Sequence, residues 1–304
     1  MFFSGFADEA SGSLARQIEV TRQLGWKCIE ARSINGKLLG TMDDAEFAAV
    51  EEQLAGSGVS INCYGSAVAN WTRHPRKEED FEASRSELLR ALPRMRRLGV
   101  KMLRGMSFLT PADEAPDSPE LEGIIFRKVK ELVAICADNG VVYGHENCMN
   151  YGGLSYVHTL RMLEAVNSPA LKLIFDTGNP CFNYRHIGAA PYPLQSSWEF
   201  YRQVRSEIVY VHIKDAVALP REDGVRPTPV FTWAGEGCGD VRAIVKDLLA
   251  TGYDGGFSME PHLGIVFHEQ DAGVLEEKRC AIYLEYARRF MQLMRECGWS
   301  LPEA

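Results

Sequence analysis

With 304 residues, 46% of them hydrophobic and 24% charged, the chain has the composition of a protein that buries a sizeable core, and general disorder is excluded. Acidic residues outnumber basic ones by 41 to 33, a formal charge of −8, which speaks against nucleic acid as a partner because binding a phosphate backbone depends on clustered Lys and Arg. Eight cysteines with no CxxC spacing, a start without a leader-like pattern and the lack of any apolar run of bilayer length lead to the expectation of a reduced, cytoplasmic protein that does not engage a membrane.

The first apolar strand covers residues 2–6, and Ser13 opens a helix whose Leu14, Ile18 and Leu24 share one face until Gly25 ends it. A second strand over 27–31 and a helix over 43–54, stopped by Gly56 and Gly58, lead to a third strand over 59–64. The loop over 65–77 is long enough to be functional and carries Asn70, Trp71, Arg73 and His74. A long amphipathic helix follows, with Leu88, Leu89, Leu92, Met95 and Leu98 at helical spacing up to Gly99; its cluster Arg94-Met95-Arg96-Arg97 reads as a solvated face.

A fourth strand over 101–106 precedes a loop rich in Pro and Asp and a helix carrying Ile125, Val129, Leu132 and Cys136. The fifth strand, 141–146, leads through a Gly-rich turn to a helix with Leu160, Leu163 and Val166. The sixth strand is 171–176, and a short helix near 197–205 precedes the seventh, 208–214. Residues 216–240, with Pro220, Pro227 and Pro229, read as the longest interruption; then come a helix over 241–249, an eighth strand over 256–259 and a closing helix with Tyr283, Tyr286, Phe290 and Met294 on one face. Eight strand-then-helix units at a mean of about 38 residues predict one (β/α)8 TIM barrel domain spanning residues 1–304. An open doubly wound sheet is the alternative, but Gly5-Phe6-Ala7 is not the phosphate loop it usually needs.

In such a barrel the C-terminal tips of all strands meet at one mouth. Four apolar runs, unalternated as in strands covered on both faces, end there on a metal-ligand side chain: Glu146, Asp176, His212 and Glu260. Each alone could be a helix cap or a core histidine; three carboxylates and an imidazole converging would leave uncompensated buried charge unless a divalent cation lay between them. That donor set suits Mn²⁺ or Mg²⁺, with Co²⁺ or Zn²⁺ as further candidates. Strand alternation turns His145 away from the mouth, towards the helices.

The pieces His145-Glu146-Asn147, Phe175-Asp176-Thr177-Gly178-Asn179, Val211-His212-Ile213-Lys214-Asp215, Gly235-Glu236-Gly237 and Ser258-Met259-Glu260 resemble the xylose isomerase-like barrels, and within them the sugar phosphate isomerase/epimerase family; Ile29-Glu30-Ala31-Arg32 is a fainter match. The resemblance implies one metal held by Glu146, Asp176, His212 and Glu260, with the two glutamates on opposite sides of a small carbohydrate. It implies proton abstraction beside a carbonyl through an enediolate, one glutamate removing the proton and the other returning it. A metal-dependent lyase, dehydrating a keto-inositol or dehydroshikimate on the same barrel, is the alternative. Asn179 stands where the ketose 3-epimerase pattern has His. Substrate contacts are expected from Asn179, Lys214, Asn147, Arg104, Trp71, Trp233 and His262, and a homo-oligomer is compatible with the sequence.

Overall fold

The computed structural model describes residues 1–221, 227–266 and 272–300. Its strands are β1 (Phe2–Gly5), β2 (Cys28–Ala31), β3 (Ser60–Gly65), β4 (Met102–Gly105), β5 (Val142–Glu146), β6 (Leu171–Asp176), β7 (Ile208–Ile213), β8 (Ala216–Leu219), β9 (Thr228–Phe231) and β10 (Gly256–Met259). The helices between them are α1 (Leu14–Gln23), α2 (Asp44–Leu54), α3 (Glu78–Leu98), α4 (Pro119–Asp138), α5 (Tyr156–Val166), α6 (Ser197–Val204), α7 (Val241–Ala250) and α8 (Ala272–Glu296). Local signals account for several boundaries. The Asp43 side chain accepts from the Glu46 amide while Glu46 accepts from the Asp43 amide, a capping box that starts α2. Gly99, at φ +71°, takes the left-handed turn that ends α3.

Eight strands form one parallel sheet in the order β1-β10-β7-β6-β5-β4-β3-β2, the (β/α)8 arrangement expected. Its two ends, β1 and β2, lie beside each other without a paired ladder. The main core lies between sheet and helices, with Leu92 and Met95 of α3 and Val129 and Leu132 of α4 fully or almost fully buried. A second, small apolar layer of Cys63, Ile174 and Tyr210 fills the barrel below the mouth. Gly144 makes room for it, since a Cβ there would lie 2.6 Å from the Ile174 Cδ1 atom.

The stretch read as an uninterrupted loop after β7 contains an antiparallel hairpin instead: β8 pairs with β9, Val217 opposite Val230. Its outward side chains Val217, Leu219 and Val230 are exposed, so it lacks the buried apolar face by which strands are recognised. Pro229 sits within β9, a position open to proline on an unpaired edge. Residues 222–226 of that stretch lie outside the described residues. Among the described residues no helix is long and apolar enough to cross a membrane.

Candidate metal centre

Glu146 ends β5 and Asp176 ends β6, while Glu260 directly follows β10 and His212 is the penultimate residue of β7. In sheet order β6 and β7 separate β5 from β10, which puts the two glutamates on opposite sides of Asp176 and His212. One ligand atom from each of the four comes within 4.8 Å of the others, and all four residues are buried.

Neighbouring groups fix each orientation. Asp176 Oδ1 accepts from the amides of Gly178 (2.9 Å) and Asn179 (2.6 Å), which leaves Oδ2 facing the cluster. The His212 Nε2–H donates to Glu30 (3.0 Å), which also accepts from Ser258 Oγ at 2.6 Å. Nδ1 is therefore the nitrogen with the free lone pair when the ring is neutral, and it points between Glu146 Oε1 and Glu260 Oε2, 3.5 Å from each. The rings of Phe6 and Tyr210 stand edge-on to the imidazole and wall it in.

The glutamates are arranged alike. Glu146 turns Oε1 to His212 and to the Asn179 amide (3.2 Å) and Oε2 to Arg104 (3.3 Å). Glu260 turns Oε2 to His212 and to Lys214 (3.0 Å) and Oε1 to His262 (3.3 Å) and Arg32 (3.4 Å). Burial alone would raise the Glu146 carboxyl, but Arg104 and His212 outweigh it and bring it down to about 2. At Glu260 burial is likewise outweighed, by Lys214, His262 and His212, and the carboxyl lies well below its ordinary value. Asp176 goes the other way, to about 7, because burial and the facing Glu260 and Glu146 overcome Lys214 at 3.0 Å.

The donors fit a divalent ion. His212 Nδ1 and Asp176 Oδ2 are buried without a well-formed hydrogen bond, and three carboxylates around one imidazole make a hard, mixed oxygen and nitrogen set. Lys214 contacts two of the four, a sign of the negative potential there.

A cavity of about 150 Å³ opens above the cluster, and Trp71, Arg104, Asn179, Lys214 and His262 line it together with Phe182 and Phe231. Two expected substrate contacts lie elsewhere. Asn147 exchanges both side-chain hydrogen bonds with the Asp176 backbone (2.7 and 3.0 Å), so it ties the β5 and β6 tips together and does not reach the cavity. Trp233 packs against Tyr286 and under the Arg289 guanidinium, 4.2 Å from its ring centre, where the loop is anchored to α8. His145 faces Ser107 and Asn150, outside the cavity, and burial lowers it to about 4.

Four contributors were given no role in the site on sequence grounds, although Glu30, Arg32 and Asp215 stand in the pieces that resemble the family. Glu30 orients His212, and Arg32 bridges Asp8 (2.9 Å), Glu9 (3.4 Å) and Glu260. Their signal was two charges, two residues apart, at the end of an apolar strand. Glu9 holds His262 through its ring (2.9 Å) and its amide (2.7 Å), at a residue with φ +54°. Asp215 accepts from the amides of Ala216, Gly235, Gly237 and Gly239, which binds the glycine-rich turn to the base of the hairpin.

The family model described as xylose isomerase-like TIM barrel matches residues 18–281. The chain belongs to that family. No curated protein sequence matches it. Solved xylose isomerase-like barrels and their kin superpose over nearly the whole chain. An IolI protein with a bound zinc atom is 17% identical, with TM-score 0.73 over 99% of this chain and 100% of that one. The D-allulose 3-epimerase from Methylomonas sp., in complex with D-allulose, is 18% identical, with TM-score 0.65 over 95% and 96%. A xylose isomerase-like TIM barrel protein from Mycobacterium smegmatis in complex with magnesium is 18% identical, with TM-score 0.62 over 92% and 89%. At such identities the likeness establishes the fold, and the chemistry rests on the residues of this chain.

The Glu30 contact carries its own expected result. Glu30→Gln removes the charge that holds the His212 Nε2–H, and metal affinity should fall by about 10–100-fold with the fold retained, as read by competition with a chelating dye. An affinity equal to that of the unaltered protein would show that Glu30 does not position the imidazole.

Proposed function

We propose that this protein is a divalent-metal-dependent isomerase or epimerase of a sugar or keto-sugar, working by proton transfer between Glu146 and Glu260. The observation that carries the reading is the matched pair of glutamates on opposite sides of the site, each with one oxygen turned to His212 and the other to a cation. A metal bound by Glu146, Asp176, His212 and Glu260, with Mn²⁺ or Mg²⁺ favoured, would serve as Lewis acid for a carbonyl oxygen and a neighbouring hydroxyl, worth several kcal/mol.

The chain's own groups do the rest. One glutamate takes the proton from the carbon beside the carbonyl, and the electron pair of that C–H bond moves towards the carbonyl oxygen. The opposite glutamate delivers a proton, to the other face of the same carbon for epimerisation or, with the hydroxyl proton passing to the former carbonyl oxygen, to the neighbouring carbon for isomerisation. Lys214 and Arg104, both buried beside the cavity, offer N–H donors to substrate oxygens. Trp71, Phe182 and Phe231 form the apolar wall that keeps water from the carbanion. The eight unpaired cysteines accord with a reducing compartment, and we place the enzyme in the cytoplasm, in carbohydrate metabolism.

The test is to incubate metal-loaded protein with ketoses and keto-inositols and to separate the products. Isomers of unchanged mass support the proposal; a product lighter by one water would replace it with a dehydratase.

Metal binding should depend strongly on pH. Asp176 is raised to about 7, and His212 is raised well above its ordinary value because Glu30, Glu146 and Glu260 overcome the lowering effect of burial. Both must lose a proton to ligate, so binding releases about two protons below pH 7 and about one above it. Affinity then rises with pH, and titration calorimetry at pH 6 should give a dissociation constant at least ~10²-fold higher than at pH 8. Equal affinities at the two values would mean that these ligands are already deprotonated in the free site.

A further inference from the structure

A second cavity of about 170 Å³ lies beside the first, and Cys148 and Met149, in the loop after β5, line both. Each is smaller than a typical small-molecule site of roughly 300–1,000 Å³, and together they reach the lower end of that range.

The chemistry of the two differs sharply. Around the first stand Arg104, Glu146, Lys214, Glu260 and His262. Among the described residues, no Lys, Arg, Asp or Glu lines the second. Its walls include Leu109, Met149 and Leu154, the neutral polar groups of Thr110 and Asn183, and His186. Burial lowers His186 from its ordinary value. Thr110 and Asn183 are the side chains among these that carry a hydroxyl or an amide.

A phosphate or carboxylate placed here would lose its hydration without gaining a counter-ion, a cost that a hydroxyl does not bear. Among the described residues, the cations of the first cavity each face a carboxylate already, Arg104 with Glu146, Lys214 with Asp176 and Glu260, and His262 with Glu9, so none of these charges is left without a counter-ion for a phosphate. We infer that the second cavity is a subsite for an uncharged, hydroxyl-bearing substituent at the far end of the substrate, so that the enzyme takes a neutral ketose derivative and not a sugar phosphate. The inference rests on the reading of the metal centre as a sugar site and deepens it.

Three ketoses with the same reacting end separate the two claims: D-fructose, D-fructose 6-phosphate and isomaltulose, which carries a glucosyl ring on the 6-oxygen. Titration calorimetry with the manganese-loaded protein should show isomaltulose binding about tenfold or more tighter than D-fructose, and the phosphate about tenfold or more weaker. Thr110→Trp, which fills the second cavity, should bring the ratio of isomaltulose to D-fructose affinity close to one; Leu109→Trp serves should the first variant not fold. Tighter binding of the phosphate than of D-fructose overturns the inference and leaves the sugar site standing. So does an isomaltulose preference that is absent, or that survives both substitutions. Failure of all three ketoses to bind protein shown to hold manganese overturns the sugar site and the inference together.

Discussion

Glu146→Gln and Glu260→Gln are each expected to lower turnover by about 10²–10⁴-fold while the barrel stays folded. Glutamine keeps the size and the hydrogen-bonding shape of glutamate but cannot accept the substrate proton. Each change also removes an anion that cations face: the buried Arg104 for Glu146, and the buried Lys214 with the partly exposed His262 and Arg32 for Glu260. Some loss of stability and of metal affinity is therefore expected with either. The rate comparison is to be made on protein shown by elemental analysis to hold its metal. A metal-loaded variant within a few-fold of the unaltered rate would remove that glutamate from proton transfer. The two variants should also differ from each other in one respect. With Glu260 intact, Glu146→Gln should still exchange the proton that Glu260 faces, and the converse should hold for Glu260→Gln.

The second large effect is that of the metal itself. Purified protein should contain about one divalent ion per chain, and thorough chelation should abolish turnover without unfolding the chain. It should not unfold because Arg104, Lys214 and His212, raised into its charged form, already stand against the three carboxylates. Returning Mn²⁺ at about 100 times its dissociation constant should stabilise the fold by about 2.7 kcal/mol and raise the melting temperature by several degrees. Asp176→Ala should erase that rise, since Asp176 Oδ2 is held towards the cluster by the amides that bind Oδ1. Protein that contains no such ion and does not melt higher with Mn²⁺, Mg²⁺, Co²⁺ or Zn²⁺ would contradict the metal centre.

The barrel and the four ligand candidates were legible because both follow from local patterns. A buried parallel strand is a short apolar run, and a carboxylate or imidazole at its end is placed by the topology alone. What surrounds the ligands was less legible, since it depends on contacts between distant strands. Asn147 and Asn179 look equivalent in sequence, each shortly beyond or at a strand tip. Only the register of β5 against β6 gives Asn147 to the Asp176 backbone and leaves Asn179 facing Glu146 and the cavity. Glu30 and His212 are 182 residues apart, and nothing local in either strand announces the pairing. The β8–β9 hairpin escaped notice because its exposed valines and its prolines mimic a loop, yet Phe231 at its end packs on His262 and forms part of the cavity wall. Trp233 shares that stretch of chain, and the anchor of its loop on α8 turns the ring away from the mouth.

The account turns on whether the substrate hydrogen leaves as a proton. The most direct measurement is turnover of the preferred ketose or keto-sugar by the metal-loaded enzyme in heavy water, with the product examined by NMR and mass spectrometry. Transfer through Glu146 and Glu260 predicts deuterium at the carbon that receives the proton, at close to one atom per turnover, because both carboxyls equilibrate with solvent. Product that retains the original hydrogen in full would point to a hydride shift between carbons and would contradict the two-glutamate mechanism.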